Sequence, residues 1–157
     1  GYNSRMTNMQ AAVGLAQLEK IDELVECRIR NAHLYNKLLS GIHGITTPPC
    51  AEWAKNVYWM YGILVDGKSF GMNADELRKK LLEAGIDTRA FFVPMHEQPV
   101  YNKKNKKFPN LPDTSGKYPV SDYLGENGFY LPSSSHLAKE EIEFICGTIK
   151  TLKEEKK

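Results

Sequence analysis

Between Met9 and Leu39 the chain holds no proline, and apolar side chains recur at Leu18, Ile21, Val25, Ile29, Ala32, Tyr35 and Leu39. Steps of three and four put these positions on one face, so the pattern predicts a single long helix. Thr7 and Gln10 stand at capping-box spacing at its start, where each side chain can satisfy a backbone donor of the first turn, and Gly41 marks its end. Roughly thirty helical residues would reach about 45 Å, long for a chain of this size, which suits an element joining two bodies. In its first third, Ala11-Ala12-Val13-Gly14-Leu15-Ala16 is apolar on nearly every side. Such a segment is expected to be buried all round, with Gly14 inviting another backbone to pass close.

After Pro48-Pro49, residues 56–65 (NVYWMYGILV) are aromatic and β-branched on both faces and predict a central strand. Asn73-Ala74-Asp75-Glu76 caps a helix expected to run to Ala84, with Gly85 as its stop, and residues 86–93 predict a second strand. The unit is strand, helix, strand. Residues 94–117 lack strong periodicity and carry Pro99, Pro109, Pro112 and Gly116, which predicts a long loop of the kind that is often functional. A short helix over 120–125, a short strand over 129–131 and a final helix over 139–153, with Ile142, Ile145 and Ile149 on one face, complete the expected order.

Composition adds bounds. With 41% hydrophobic and 25% charged residues over 157 positions, one soluble globular core is the natural expectation. A formal charge of +2, from 21 basic and 19 acidic side chains, is too small to point to nucleic acid or a membrane surface as the main partner. Cys27, Cys50 and Cys146 are scattered singly, and an odd number without a CxxC pair argues against a disulfide framework and for a reducing cytoplasm. No apolar run approaches the length of a membrane-spanning helix.

Candidate chemistry is sparse. His33, His43, His96 and His136 show no metal-ligand spacing and no accompanying carboxylate cluster, so no metal site is expected. His33 and His136 read as surface residues. His96 differs: it follows a predicted strand in FFVPMHEQPVY, with Pro94 stiffening the exit and Phe91, Phe92 and Tyr101 bracketing it. By residue type alone, ligand contact and a plain surface role are both open for it. Lys103, Lys104, Lys106 and Lys107 could hold a phosphate or simply solvate a loop. Lys55, between Trp53 and Trp59, is the one lysine in apolar company. No glycine-rich phosphate loop or nucleophile elbow accompanies these residues.

The opening GYNSRMTNMQAAVGLAQLEKIDE resembles a passage that follows the catalytic region in nucleotide-sugar aminotransferases of the DegT/StrS group. NVYWMYGILV, GIDTRAFFVPMHEQPVY and YPVSDYLGENGFYLPSSSHLAKEEIEFI resemble further segments of that family, in the same order, so the resemblance covers essentially the whole chain. It implies the C-terminal portion of a fold-type-I transferase dependent on pyridoxal 5′-phosphate (PLP). The implied fold is α/β, with an α+β small domain: a long interdomain and dimer-interface helix over residues 1–41, then a small domain over 42–157 with an antiparallel sheet and helices.

By the same resemblance, Asn3 of the GYN-x-R motif reaches the cofactor phosphate across a homodimer, with Arg5 beside it. His96 lies near the sugar nucleotide, and Arg89, Phe91, Phe92 and Tyr101 extend that contact. The implied substrates are a nucleotide-linked 4-keto-6-deoxy sugar and glutamate as amino donor. The lysine that bonds to the cofactor belongs, in the family, to a large domain upstream, and no matching motif stands in this chain. The chain alone is therefore expected to hold no catalytic residue. Two competing readings are a non-catalytic module that binds a nucleotide sugar or a partner, and a fragment of a PLP-dependent sugar dehydratase.

Overall fold

The computed structural model describes residues 2–101 and 113–155. The predicted long helix is two helices, α1 (Asn8–Leu18) and α2 (Ile21–Leu39). The expected capping box opens α1: Thr7 N–H donates to Gln10 Oε1 at 2.9 Å and Gln10 N–H to Thr7 Oγ1 at 3.3 Å. At the break, Lys20 leaves helical geometry (φ −113°, ψ 9°) and its N–H turns back to Gln17 O at 3.2 Å. Asp22 and Glu23 then occupy the first turn of α2, where carboxylates favour the positive end of a helix dipole and so support a fresh start. Periodicity could not reveal this break, because the apolar stripe runs through it without a change of phase.

The strands form one sheet in the order β1 (Ile45–Thr46), β2 (Tyr61–Val65), β4 (Gly128–Leu131), β3 (Arg89–Ala90), all neighbours antiparallel. Between β2 and β3 come α3 (Gly67–Phe70) and α4 (Ala74–Glu83). Because β4 is inserted between β2 and β3, those two run parallel to each other in a split β-α-β arrangement. The sheet ends with α5 (Pro119–Asn127) leading into β4, and α6 (Lys139–Glu154) follows it. Gly41 and Gly85, the expected helix stops, adopt φ +80° and +81°.

Both long strand expectations shorten. The predicted strand over 56–65 starts only at Tyr61, because Asn56 Oδ1 accepts the Tyr58 N–H at 2.8 Å in a tight side-chain turn that holds Tyr58 at φ 46°. Residues 86–93 give only β3. Ile86 turns into the core beside α4, and Pro94 bars further pairing after the Phe91 N–H has reached Gly128 O. β1 and α3 had no sequence expectation; each is too short to carry a period.

Side chains alternate along the strands. One face, Tyr61, Ile63 and Val65 with Phe129 and Leu131, is buried under α2, α4 and α6. Tyr35 of α2 stacks on Tyr61 with ring centroids 4.6 Å apart, and Ile142, Ile145 and Ile149 present the expected face of α6. Burial of each such side chain contributes about 1.5–3 kcal/mol. α4 is fixed by a reciprocal box, Asn73 N–H to Glu76 Oε2 and Glu76 N–H to Asn73 Oδ1, both 2.9 Å. Lys153 of α6 donates to the carbonyls of Ser69 and Phe70 at the end of α3.

Three side chains of α2 reach the segment leaving β4. Arg28 Nη1 donates to Ser133 O at 2.9 Å, Asn31 Nδ2 to Ser134 O at 3.2 Å and Tyr35 Oη to Pro132 O at 2.9 Å. Arg28 also donates to Trp59 O at 2.9 Å. By contrast α1 buries no residue: Met9, Val13 and Leu18 are each about two-thirds exposed or more, and nothing lies within 4 Å of a Cβ built on Gly14. The backbone that Gly14 was expected to admit is not within the described residues. No described helix is long and apolar enough to cross a membrane.

Among the cysteines, Cys50 is exposed, Cys27 partly covered and Cys146 buried. Burial pushes the Cys146 thiol up to about 12, against a smaller opposing pull from Lys150. The folded state thus holds this proton more tightly than the unfolded state does. The associated stability is complete below the unfolded thiol value and is lost as pH rises through the folded one. At pH 8 iodoacetamide should label Cys50 first and spare Cys146 until urea unfolds the chain, read by peptide mass spectrometry.

Candidate functional site

The second face of the sheet carries Gly62, Leu64, Gly128 and Tyr130, and Phe91 and Phe92 pack against it. A Cβ on Gly128 would lie 2.2 Å from the Phe91 ring and 2.7 Å from Leu124 O, and one on Gly62 would lie 2.7 Å from the same ring. Two absent side chains therefore make the seat for Phe91, which also packs on Tyr130 with centroids 4.5 Å apart. Phe92, 6.2 Å from Tyr130, is 64% exposed. Seating Phe91 fixes where the chain departs from the sheet toward His96.

Past Pro94 the backbone makes two short 3₁₀ turns, Met95–Glu97 and Pro99–Tyr101. Gln98 Nε2 donates to Val93 O at 3.0 Å, tying the turns back to the strand exit. His96 sits in the first, with its side chain only 16% exposed. Its Nε2 is 2.7 Å from Asp122 Oδ1 and 3.8 Å from Glu97 Oε1, and the Tyr118 ring lies over it at 4.4 Å, 31° from parallel. Thr114 Oγ1 donates to Tyr101 O at 3.4 Å where the described chain resumes.

α5 is what brings Asp122 to His96. Pro119 opens the helix with its φ already set, and the Asp122 N–H donates to Tyr118 O at 2.9 Å in the first turn. Gly125 then lets the helix lie against Pro94, whose ring carbons would be 3.0–3.1 Å from a Cβ there.

His96, Glu97 and Asp122 place three potential ligand atoms within 4.8 Å of one another, a grouping that the spacing of histidines alone did not foresee. Within this group Nε2 of His96 is hydrogen-bonded to Asp122. Among the sequence-selected residues, Phe91 and Phe92 pack near Tyr130 of this face and Arg89 pairs with Tyr130 in register, while His96 lies past the strand exit against Asp122 and Tyr118. Arg89 is exposed on the edge strand β3. Asn3 and Arg5 are exposed ahead of α1 and make no hydrogen bond to the His96 cluster among the described residues. Lys55 is exposed, as are Trp53 (91%) and Trp59 (68%), so the apolar company suggested by sequence is not a pocket. Lys103, Lys104, Lys106 and Lys107 lie outside the described residues. Asp122, Tyr118 and Tyr130 escaped sequence reasoning, since nothing local marks a carboxylate 26 residues from its histidine.

The donor chemistry of Asn3 and Arg5, a carboxamide and a guanidinium, suits a phosphate dianion. A separate groove of about 770 Å³, lined by Ile86, Asp87, Pro132, Leu137, Glu140 and Phe144 among others, has an acidic rim and does not.

Residues 1–150 match the sequence profile of the DegT/DnrJ/EryC1/StrS aminotransferase family. GDP-perosamine synthase of Escherichia coli O157:H7 is 34% identical over 149 residues, covering 95% of this chain and 37% of that protein. The GDP-perosamine synthase of Caulobacter vibrioides is 31% identical over 150 residues, covering 95% and 38%. Among solved structures, S. venezuelae DesV in complex with a ketimine intermediate is similar with a TM-score of 0.84 and 27% identity, covering 98% of this chain and 38% of that one. The chain thus spans little more than a third of these relatives.

Phe91 and Phe92, adjacent in sequence, should separate in their effects. Phe91→Ala is expected to lower the unfolding free energy by about 2–3 kcal/mol through the cavity left over Gly62 and Gly128, while Phe92→Ala stays within about 0.5 kcal/mol. Urea denaturation of the two variants checks this.

Proposed function

Given that the chain belongs to the DegT/DnrJ/EryC1/StrS aminotransferase family, we propose that it forms the small domain and interface helix of an enzyme that aminates a nucleotide-linked 4-keto-6-deoxy sugar. We take the nucleotide to be GDP and the amino donor to be glutamate. The observation that carries this reading is the near-complete coverage of the chain by GDP-perosamine synthases at 34% and 31% identity. The family's enzymes use PLP. When bound, that cofactor supplies the electron sink through which an amino group is taken up and released.

In this reading the chain's own residues bind and orient. Asn3 and Arg5 donate to the cofactor phosphate from the exposed opening segment, and a second subunit completes the site, as a homodimer would allow. The apolar surface of α1 supports the same arrangement: Met9, Val13, Leu15 and Leu18 have no cover within the described residues, and a helix apolar on so many sides needs one. His96 and Tyr101 meet the sugar nucleotide, Arg89 offers a cation to its diphosphate, and Phe92 presents an exposed ring. Phe91 acts behind them by fixing the strand exit. The lysine that bonds to the cofactor is assigned to the large domain of the enzyme.

The intact enzyme, given PLP, glutamate and GDP-4-keto-6-deoxymannose, should form the 4-amino sugar nucleotide and 2-oxoglutarate, detected by mass spectrometry. Product from another nucleotide sugar alone would overturn the choice of substrate. Asn3→Ala in the intact enzyme should raise the dissociation constant for PLP about ten-fold, the value of one charge-assisted hydrogen bond. Fluorescence titration of the apoenzyme measures it, and unchanged affinity would remove Asn3 from the phosphate site.

A further inference from the structure

We propose that Asp122 is a positioning residue that fixes the tautomer and ring plane of His96, so that Nδ1 is the atom offered to a hydroxyl of the sugar nucleotide. The proposal rests on the reading of His96 as a sugar-nucleotide contact, but its structural half stands on the geometry alone. A neutral imidazole carries one N–H. Beside a carboxylate that can only accept, at 2.7 Å, that hydrogen belongs on Nε2. Nδ1 then presents a lone pair, and a hydroxyl is the group that lone pair can accept from.

Two contacts hold the ring in this state. Asp122 engages the edge, and Tyr118 covers a face at 4.4 Å. The close approach of Gly125 to Pro94 sets the separation between α5 and the segment bearing His96. Glu97, at 3.8 Å from Nε2, is on the same side as Asp122 and reinforces the preference for a hydrogen there. Holding a ring nitrogen's partner fixed is how a protein selects which nitrogen faces its ligand. The side chain is mostly covered, so the orientation is set before any ligand arrives.

Long-range proton–nitrogen NMR on the intact enzyme with labelled histidines reads the tautomer directly, and Asp122→Asn is the near-isosteric variant that preserves packing. The expected result is the Nε2–H form in the parent chain and a mixture of both forms in the variant, whose amide can donate as well as accept. In the intact enzyme the same variant should raise KM for the sugar nucleotide about ten-fold or more, from the loss of one well-placed hydrogen bond. The half-reaction with glutamate should be unchanged, and Asp122→Glu should recover much of the affinity.

A predominant Nδ1–H form or a doubly protonated ring in the parent, or the same tautomer ratio in the variant, overturns the pairing. An unchanged KM, or equal losses in both half-reactions with a matching fall in melting temperature, overturns the link to the sugar. If the parent enzyme turns over no nucleotide sugar at all, the functional reading fails, while the NMR result still decides the role of Asp122.

Discussion

Three carbonyls leave β4 with no strand to pair with, and α2 supplies their donors. Arg28, Asn31 and Tyr35 recur at steps of three and four, so one face of one helix meets Ser133, Ser134 and Pro132 in turn. A buried carbonyl without a donor costs about 1–3 kcal/mol, so this match constrains where β4 can end. β4 in turn is the central partner of both β2 and β3, and its register places Tyr130 against Gly62 and Arg89. Once the exit of β4 is fixed, both faces of the sheet are fixed with it.

On the covered face, that constraint is answered by ordinary packing: the Tyr35–Tyr61 stack and the isoleucines of α6 close a core around β2 and β4. On the other face it is answered by absence. Gly62 and Gly128 leave a hollow of one ring's width, and Phe91 fills it. The chain therefore leaves β3 in a set direction, Pro94 meets Gly125, and His96 is delivered to Asp122. His96 is thus placed by a series of backbone constraints that begin on the far side of the sheet.

The opening segment follows a different logic. α1 has a well-formed cap and a regular ladder but buries nothing, whereas α2, two residues later, carries much of the core. Local hydrogen bonding makes α1 a helix, and the apolar surface it presents has no cover within the described residues. Asn3 and Arg5 lie exposed on the segment just ahead of α1.

The sequence by itself determined the helix caps at Thr7 and Asn73, the stops at Gly41 and Gly85, the stripe of α6, the segment bearing β2 and the order of family segments. These are legible because each depends on residues within a few positions of one another, where period and side-chain chemistry act directly. Only the tertiary structure decided the break at Lys20, the late start of β2, the insertion of β4 between β2 and β3, and the union of His96 with Asp122. Each of those depends on groups far apart in the chain or on a turn whose signal the apolar pattern overrides. Phe91 shows the division most clearly. The family resemblance made it a candidate for substrate contact, while its packing over Gly62 and Gly128, on two other strands, became visible only in the structure.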